Sequence, residues 1–307
     1  MVGPYQLAGP ERVYRSGRSS RARRVNRSGA DPGWLRTMAE LVHLSDPSDP
    51  ALGDYAALTD PALRKRYENR AGVFIAEGPN PVRELVTSPY PVRSLLVAEE
   101  RVAEVTDLLV AVDAPVYVVP RDVLYELVRF PLHQGVLGCG VRRDPPVVDA
   151  VVHGARRLLV LEGLNDHENL GTLFRSARGL GYQGVLLGPG CADPLYRRSV
   201  RVSMGHVLHV PFARVDGEVG RSLEALHASG VRTVALTPDP DAPDLRRTAD
   251  ELGDRPVALL LGAEGPGLST AALTGAHLRA RIPMRGGVDS LNVAAAGAIA
   301  MHALGPR

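Results

Sequence analysis

Lysine is almost absent from this chain of 307 residues, where Lys65 is the only lysine among 36 basic residues. Arginine therefore carries nearly all of the positive charge. Together with abundant alanine, glycine and proline, this usage is typical of a G+C-rich coding bias, so a single arginine says little about chemistry. The formal net charge of +2 is also too small to indicate a polyanionic partner by itself. Only clusters of arginine therefore indicate an anion-binding surface.

Cysteine and long apolar runs are also scarce. Cys139 and Cys191 are the only two cysteines, and their separation matches no metal-ligand spacing, so we expect reduced thiols and no metal site. The small-residue stretch from Leu291 to Leu304 suits a buried helix. No run approaches the roughly 18 apolar residues that a membrane span needs. The sequence therefore predicts a cytoplasmic protein that binds neither a metal nor a membrane.

The first 54 residues are rich in Arg, Ser, Gly and Pro and contain few apolar side chains. Burial of so few apolar groups cannot offset the entropy of ordering, so we expect residues 1–54 to be a basic, mostly disordered segment. Three interpretations stay open. The segment is a basic arm that holds RNA phosphates, or an Arg-rich and acid-poor mitochondrial transit peptide, or the product of a mispredicted start with Met38 as the true first residue.

Residues 55–143 alternate between helical and strand-like apolar periods. Asp60 followed by Pro61 predicts the start of a helix that ends at Gly72. The segments that follow predict strands in VFIAEG, RSLLVAE, PVYVVP and QGVLGCGV and helices in PVRELV, VAEVTDLLVAV and RDVLYELV. This alternation predicts a small α/β domain. Residues 144–155, which contain Pro145 and Pro146, are predicted to be a linker.

Residues 156–307 contain more apolar strands, as expected of a parallel sheet that is covered on both faces. Strands are predicted in RLLVLEGL, GVLLGPG, HVLHVPF, RTVALTP, PVALLLG and LRARIPM, with helices such as GTLFRSARGLG and GRSLEALHASG between them. The loops that follow the strands of an α/β protein meet at one edge of the sheet. We therefore expect a second α/β domain that binds a ligand at this edge.

Three of these loops carry candidate functional blocks. In the first, NDHENLG, Asn165 and Asn169 can cap a helix and still offer an amide to a ligand, and Arg175 follows inside that helix. The second, GAEGPGL, lacks the Lys-Ser/Thr of a phosphate-binding loop and does not match GxGxxG, which argues against a nucleotide triphosphatase and against a dinucleotide-dependent oxidoreductase. Its glycines are expected to let the backbone approach a flat ligand closely.

The third block runs from Ile282 to Ala296. It contains the flexible sequence RGGVD, then Ser290 as the expected N-cap, and then a helix made almost wholly of small residues. Such residues permit close packing of the helix backbone against other segments or a second copy of the chain. They do not explain why Ser290 and Asn292 stand together at the start of the helix.

In this order, the three blocks resemble the signature motifs of the SpoU (TrmH-like) RNA ribose 2′-O-methyltransferases of the SPOUT superfamily, over roughly Leu158 to Leu304. Thr59 to Gly138 resembles more loosely the ribosomal-protein-like RNA-binding domain that precedes the catalytic domain in many members. The resemblance implies S-adenosylmethionine bound in a deep trefoil knot, an exception to the general absence of knots, and a homodimer with the active site near the subunit interface.

The implied activity is methyl transfer to a ribose 2′-hydroxyl, with ribosomal RNA expected before transfer RNA. A non-catalytic RNA-binding protein on the same fold is the alternative from another class. By resemblance, the cofactor contacts are Gly262, Ile282 and Leu291. The polar active-site positions are Asn169, Arg175, Glu264, Ser290 and Asn292. The substrate-facing basic positions are Arg197, Arg198 and Arg201.

Because a guanidinium stays protonated, Arg175 is expected to clamp a phosphate and the developing alkoxide rather than act as a base. Asn169, Ser290 and Asn292 are expected to orient the ribose, and Glu264 to hold Arg175 or the loop backbone. The residues leave open which group accepts the proton, which RNA is the substrate, and which nucleotide is modified.

Overall fold

The structure is a computed structural model in which residues 39–130, 132–215, 217 and 219–306 are described. Most of the predicted basic segment precedes residue 39 and lies outside these residues, so its three interpretations stay predictions. Within the described part of the chain, no helix has the length and apolarity that crossing a membrane requires. The same residues contain no group of three or more His, Cys, Asp or Glu side chains placed to hold a metal ion.

The first domain is built on a mixed sheet. Its strands are β1 (Leu41–His43), β2 (Val73–Glu77), β3 (Val92–Ala98), β4 (Val116–Val119) and β5 (Val136–Val141). They lie in the order β1-β4-β3-β5-β2, with β4 parallel to β1 and β3, and β5 antiparallel to β2 and β3. Its helices are α1 (Pro61–Ala71), α2 (Pro79–Thr87), α3 (Thr106–Ala111) and α4 (Arg121–Val128), with 3-10 helices at Pro50–Tyr55 and Glu99–Val105. This arrangement confirms the small α/β domain predicted from the sequence.

The first domain begins earlier than predicted. Leu41 pairs with Val116 in the sheet, and Leu52 and Tyr55 are fully buried in the core of this domain. The predicted boundary between residues 54 and 55 is therefore wrong, because residues 41–54 belong to the domain. The sequence did not indicate β1 because it is a three-residue edge strand with mostly exposed side chains, held by main-chain hydrogen bonds rather than by an apolar face.

The second domain is built on a parallel sheet, as predicted. Its strands are β6 (Arg157–Glu162), β7 (Gly184–Leu187), β8 (Phe212–Arg214), β9 (Arg232–Leu236), β10 (Val257–Gly262) and β11 (Leu278–Ala280). They lie in the order β11-β9-β10-β6-β7-β8, and every pairing is parallel. Its helices are α5 (Val148–Val152), α6 (His167–Gly179), α7 (Arg197–Val202), α8 (Gly220–Ala228), α9 (Leu245–Leu252), α10 (Thr270–Gly275) and α11 (Val293–Ala303), with a 3-10 turn at His206–His209.

Helices cover both faces of the parallel sheet. Leu159 of β6 packs in one core with Phe174 of α6 and Met301 of α11, while the adjacent Leu158 packs on the other face with Leu226 of α8. Successive strand residues therefore point into different cores, which explains why these strands are apolar at every position.

Two further predictions need correction. The expected linker 144–155 is shorter, because Val151 and Val152 of α5 are buried under the second sheet. The expected strand HVLHVPF is mostly a 3-10 turn, and only Phe212–Arg214 is a strand. Gly205, with φ of 85°, turns the chain before it, and His209 contacts Glu84 of the first domain. A tertiary contact thus overrides the local β propensity.

The C-terminal helix packs very closely on its neighbours. A Cβ atom on Gly297 would lie 2.4 Å from Leu173 Cδ2 and 2.9 Å from Leu261 Cδ1, so α11 approaches α6 and β10 at a distance that only glycine allows. The close packing expected from the small residues is therefore confirmed. The trefoil knot stays a prediction of the family resemblance.

Candidate active site at the carboxyl edge of the parallel sheet

A cavity of about 800 Å³ opens where β9, β10 and β11 end, and we call it the loop cavity. Gly262, Ile282 and Leu291, the predicted cofactor contacts, all line it. Leu236 and Met284 add further apolar surface to its walls. The carboxyl edge of a parallel sheet is where α/β proteins generally bind ligands, and the second and third sequence blocks meet there.

The loop GAEGPGL folds back on itself beside this cavity. The Gly267 amide donates to the Ala263 carbonyl at 3.0 Å, and Gly265 and Gly267 have φ of 87° and 72°. A Cβ atom on Gly262 would lie 2.2 Å from Gly267 C and from Leu268 N. Gly262 therefore makes room first for the backbone of its own loop, a role that differs from the close approach to a ligand expected from the sequence.

A cluster of three polar side chains joins the three sequence blocks at the mouth of the loop cavity. Asn169 Nδ2 donates to Glu264 Oε1 at 3.2 Å. Asn292 Nδ2 donates to the same Oε1 at 2.8 Å and to Asn169 Oδ1 at 2.8 Å. Three of the five predicted catalytic residues are thus in direct contact. Glu264 was expected to hold Arg175 or the loop backbone. Its side chain accepts instead from the amides of Asn169 and Asn292.

The caps of the two helices at the site differ from prediction. Asp166 caps α6 by accepting from the amides of Glu168 and Asn169, at 2.9 and 2.8 Å, so the predicted capping by Asn165 or Asn169 is wrong. Because an aspartate performs the cap, the Asn169 amide is available for the polar cluster.

At the start of α11, Asn292 is the N-cap, and its Oδ1 accepts from Ala294 N at 3.0 Å and Ala295 N at 3.2 Å. The predicted cap, Ser290, lies outside the helix and donates to Asp289 Oδ1 at 3.0 Å. Both Asn and Ser are good caps, so the sequence offered two candidates two residues apart and could not fix the first helical turn.

Arg175 lies in the exposed part of α6. It forms no hydrogen bond or ion pair with any residue that the structure describes. It follows Glu168 by two helical turns and so shares its face of the helix. The guanidinium is therefore available to an anionic ligand.

Two of the three predicted RNA-binding arginines of α7, Arg197 and Arg201, contact the first domain. Arg197 forms an ion pair with Glu77, whose side chain is only 10% exposed, and lies 5.1 Å above the ring of Phe130. Arg201 Nη1 lies 3.3 Å from Glu77 Oε1, and Arg198 Nε lies 3.7 Å from Glu168 Oε1. Arg198 and Arg201 remain about half exposed, whereas Arg197 is mostly buried by the first domain.

A second ionic contact fixes the first domain on the second. Glu84 of α2 pairs with Arg178 of α6, and His209 Nε2 lies 2.8 Å from Glu84 Oε2. Burial raises the pKa of Glu84, but the hydrogen bond and charge of Arg178 outweigh it, so that this pKa is lowered. Burial, followed by the charge of Arg178, lowers the pKa of His209. At neutral pH the contact is therefore an arginine–carboxylate pair beside a neutral histidine.

A second cavity, of about 920 Å³, lies between the domains where β6, β7 and β8 end. We call it the arginine cavity because five arginines line it: Arg142, Arg197, Arg198, Arg201 and Arg214. Sequence reasoning missed Arg142 and Arg214. Each stands at the end of a strand, β5 or β8, which is a signal of a site, but the general excess of arginine in this chain hid it.

Comparison with known proteins places the chain among RNA methyltransferases. The model of the SpoU rRNA Methylase family matches residues 156–302, and the model described as RNA 2′-O ribose methyltransferase substrate binding matches residues 75–138. An uncharacterized tRNA/rRNA methyltransferase of Mycobacterium tuberculosis is 44% identical over 263 residues, which cover 86% of this chain and 91% of that protein. The chain therefore belongs to the SpoU rRNA methylase family.

More distant relatives have described activities or ligands. The 23S rRNA (guanosine(2553)-2′-O)-methyltransferase RlmP of Bacillus subtilis is 28% identical over 248 residues, covering 78% of this chain and 91% of that one. The AdoMet-bound rRNA methyltransferase of Sinorhizobium meliloti superimposes with a TM-score of 0.73 at 28% identity, over 86% of this chain and 97% of that one. AviRb of Streptomyces viridochromogenes, in complex with AdoMet, gives 0.70 at 26% identity, over 83% and 97%.

Proposed function

We propose that this protein transfers the methyl group of S-adenosylmethionine to a ribose 2′-hydroxyl of ribosomal RNA. The observation that carries the proposal is the hydrogen-bonded cluster of Asn169, Glu264 and Asn292, which joins three separate loops at the mouth of the loop cavity. Arg175, on the same helix as Asn169, adds a cation that is not engaged by any described residue.

The loop cavity fits S-adenosylmethionine. Leu236, Ile282 and Leu291 offer apolar surface for the two faces of an adenine ring, and the loop that begins at Gly262 offers backbone donors and acceptors for its edge. When bound, the cofactor supplies an electrophilic methyl group on a sulfonium. The AdoMet complexes of the S. meliloti enzyme and of AviRb support this part of the proposal.

Methyl transfer needs the ribose to be held in line and its oxygen to develop negative charge. In the proposed site, Asn169 and Ser290 orient the ribose, and Asn292 fixes the loops around it through its bonds to Asn169, Glu264 and the start of α11. The Arg175 guanidinium binds the adjacent phosphate and stabilises the developing alkoxide. Glu264 fixes the two asparagines by accepting from both amides.

Ribosomal RNA is the proposed substrate because the chain carries a match to the substrate-binding domain of RNA 2′-O ribose methyltransferases and because its relative RlmP is named for 23S rRNA. Transfer RNA is the second candidate, since the mycobacterial relatives are named tRNA/rRNA methyltransferases. The exposed parts of Arg198 and Arg201 are proposed to contact phosphates, which position an RNA without reading its sequence.

The first test combines cofactor binding with mapping of the product. We expect calorimetry to detect S-adenosylmethionine binding without added metal, and 2′-O-methyl mapping of total RNA to lose at least one ribosomal position when the gene is deleted. Complementation with the wild-type gene should restore that position. Loss of a tRNA position instead would select the second candidate. Unchanged RNA, together with heat from NAD and none from S-adenosylmethionine, would show that the proposal is wrong.

We also propose that the protein is a cytoplasmic homodimer. Three large apolar side chains are 39–51% exposed in this region: Val288 and Leu291 in the loop before α11, and Ile299 within that helix. Large apolar side chains that stay exposed near a functional site support an interface with a second copy of the chain. A cytoplasmic location is proposed because both RNA and S-adenosylmethionine are available there.

The dimer can be tested with a charge at its proposed centre. Ile299→Glu should convert a particle of twice the chain mass of 32.8 kDa into a monomer in light scattering, since burial of an unpaired carboxylate opposes association. The control is Val147→Glu, at a residue that is 71% exposed between the two domains and should leave the mass unchanged. A wild-type monomer, or a dimer that tolerates Ile299→Glu, would contradict the proposal.

A further inference from the structure

The carboxyl edge of the parallel sheet carries two cavities, and the proposed cofactor site occupies only one of them. The loop cavity lies over β9, β10 and β11, and the arginine cavity lies over β6, β7 and β8. The segment from Asn165 to Asn169 separates them, because Asn165 and His167 line the arginine cavity while Asn169 bonds to Glu264 of the loop cavity. The two cavities are therefore adjacent, with the polar cluster that contains Asn169 between them.

The charges of the arginine cavity are only partly compensated. Arg142 pairs with Asp193 at 2.7 Å, and Arg197 pairs with Glu77. Arg214 donates to the carbonyls of Cys191 and Ala192, at 3.2 and 3.1 Å, and has no carboxylate partner among the residues that the structure describes. Its positive charge, fixed in orientation by two carbonyls, is suited to a phosphate.

Other side chains in this cavity are suited to a nucleobase. The ring centroids of His167 and Tyr196 lie 4.4 Å apart, and Tyr196 is a half-buried residue that lines the cavity. Asn165 and Asn69 line the same cavity from different domains, and neither side chain forms a hydrogen bond with a described residue. Aromatic faces and free amide groups are what proteins use to bind an unstacked RNA base by its face and its edges.

We propose that the arginine cavity binds a second, unpaired nucleotide of the substrate RNA, next to the one that is methylated. Its phosphate contacts Arg214, its base stacks on Tyr196, and its edge meets Asn165 and Asn69. The inference rests on the proposed function, since it takes the RNA as the substrate. It adds a subsite that recognises the sequence beside the methylated ribose, built jointly by the two domains.

The test uses a fluorescein-labelled 12-nucleotide oligouridine and the full-length protein, with anisotropy as the measurement. Tyr196→Leu should weaken binding about tenfold, the range expected for loss of one stacked base, whereas Tyr196→Phe should bind as the wild type does. Against a 12-nucleotide abasic strand, Tyr196→Leu should have no effect, because no base is present to stack. This base-dependent difference separates stacking from a general loss of structure.

Arg214→Gln should also weaken binding and should lower the slope of log affinity against log salt by about 0.7, the value for one lost phosphate contact on a single strand. The matched control is Arg255→Gln. Arg255 is likewise exposed and donates to a backbone carbonyl, that of Glu251, but it stands at the opposite edge of the sheet, before β10. The control should keep both the affinity and the salt slope.

The outcomes separate this inference from the proposed function. If both variants bind the oligonucleotide and methylate ribosomal RNA as the wild type does, the subsite is overturned while the methyltransferase stands. Failure of the wild type to bind S-adenosylmethionine would instead remove the proposed function. If Tyr196→Leu fails to fold, ultraviolet cross-linking of a 12-nucleotide oligomer of 4-thiouridine to the wild-type protein tests the subsite instead. A cross-linked peptide containing Tyr196 supports the subsite, and cross-links confined to other peptides overturn it.

Discussion

Arg175→Ala is expected to bind S-adenosylmethionine as the wild type does and to lose about a hundredfold or more in the rate of methyl transfer, as when one preorganised charge-stabilising donor is removed. Cofactor affinity should hold because Arg175 does not line the loop cavity. The rate should fall because the guanidinium, which no described residue engages, is the proposed partner of the phosphate and the alkoxide. Single-turnover transfer of a tritiated methyl group to ribosomal RNA, beside cofactor titrations, measures both quantities.

Two further variants sharpen this experiment. Arg175→Lys should recover little activity, because one ammonium cannot reproduce the two-pronged contact of a guanidinium. Arg255→Ala removes another exposed arginine, far from the site, and should leave turnover unchanged. If Arg175→Ala turns over at a rate near that of the wild type, Arg175 does not stabilise the phosphate and the alkoxide during methyl transfer.

Gly262→Val is expected to have the opposite signature, with a large loss of cofactor affinity. The new Cβ would stand 2.2 Å from the backbone of Gly267 and Leu268, so the loop must open. Overpacking of this kind costs about 1–3 kcal/mol, and that corresponds to about five- to 150-fold in affinity if the loop forms the cofactor wall. Calorimetric titration with S-adenosylmethionine measures the loss directly.

Gly179→Ala is the matched control for this prediction. Gly179 ends α6 with nothing within 4 Å of its ideal Cβ position and with an ordinary backbone conformation. The Gly179→Ala variant should therefore bind S-adenosylmethionine with wild-type affinity. If Gly262→Val binds the cofactor as tightly as the control does, the loop that begins at Gly262 does not form the wall of the cofactor site.

The sequence predicted the parts of the fold that follow from apolar periodicity. The strands from Arg157–Glu162 to Leu278–Ala280 are apolar on both faces because helices cover both sides of the sheet, and this made them visible. Leu41–His43 lacks such a face and was missed. His206–His209 has the composition of a strand, but its contact with Glu84 of another domain determines its shape, and no local pattern reports such a contact.

The sequence predicted which residues belong to the candidate site, but not how their side chains contact one another. The three blocks indicated Asn169, Glu264 and Asn292, and the structure brings their side chains into contact. Which residue caps each helix was not predictable, because Asp166 competes with the neighbouring asparagines and Asn292 with Ser290 at similar energies. The arginine cavity was not predicted as a cavity, since segments from two domains meet only in the folded chain, and the sequence indicated only its three arginines Arg197, Arg198 and Arg201.

Asn292 makes four hydrogen bonds with a single short side chain, two as an acceptor at the start of α11 and two as a donor to Asn169 and Glu264. Of the twenty amino acids, only asparagine presents a carbonyl and an NH₂ group at this reach. Aspartate would cap the helix but set two carboxylates against each other, serine would be too short to reach both loops, and glutamine would be too long to cap. Asparagine is therefore the only residue that satisfies this position. A substitution of Asn292 would disturb the start of α11 and the polar cluster of the active site at the same time.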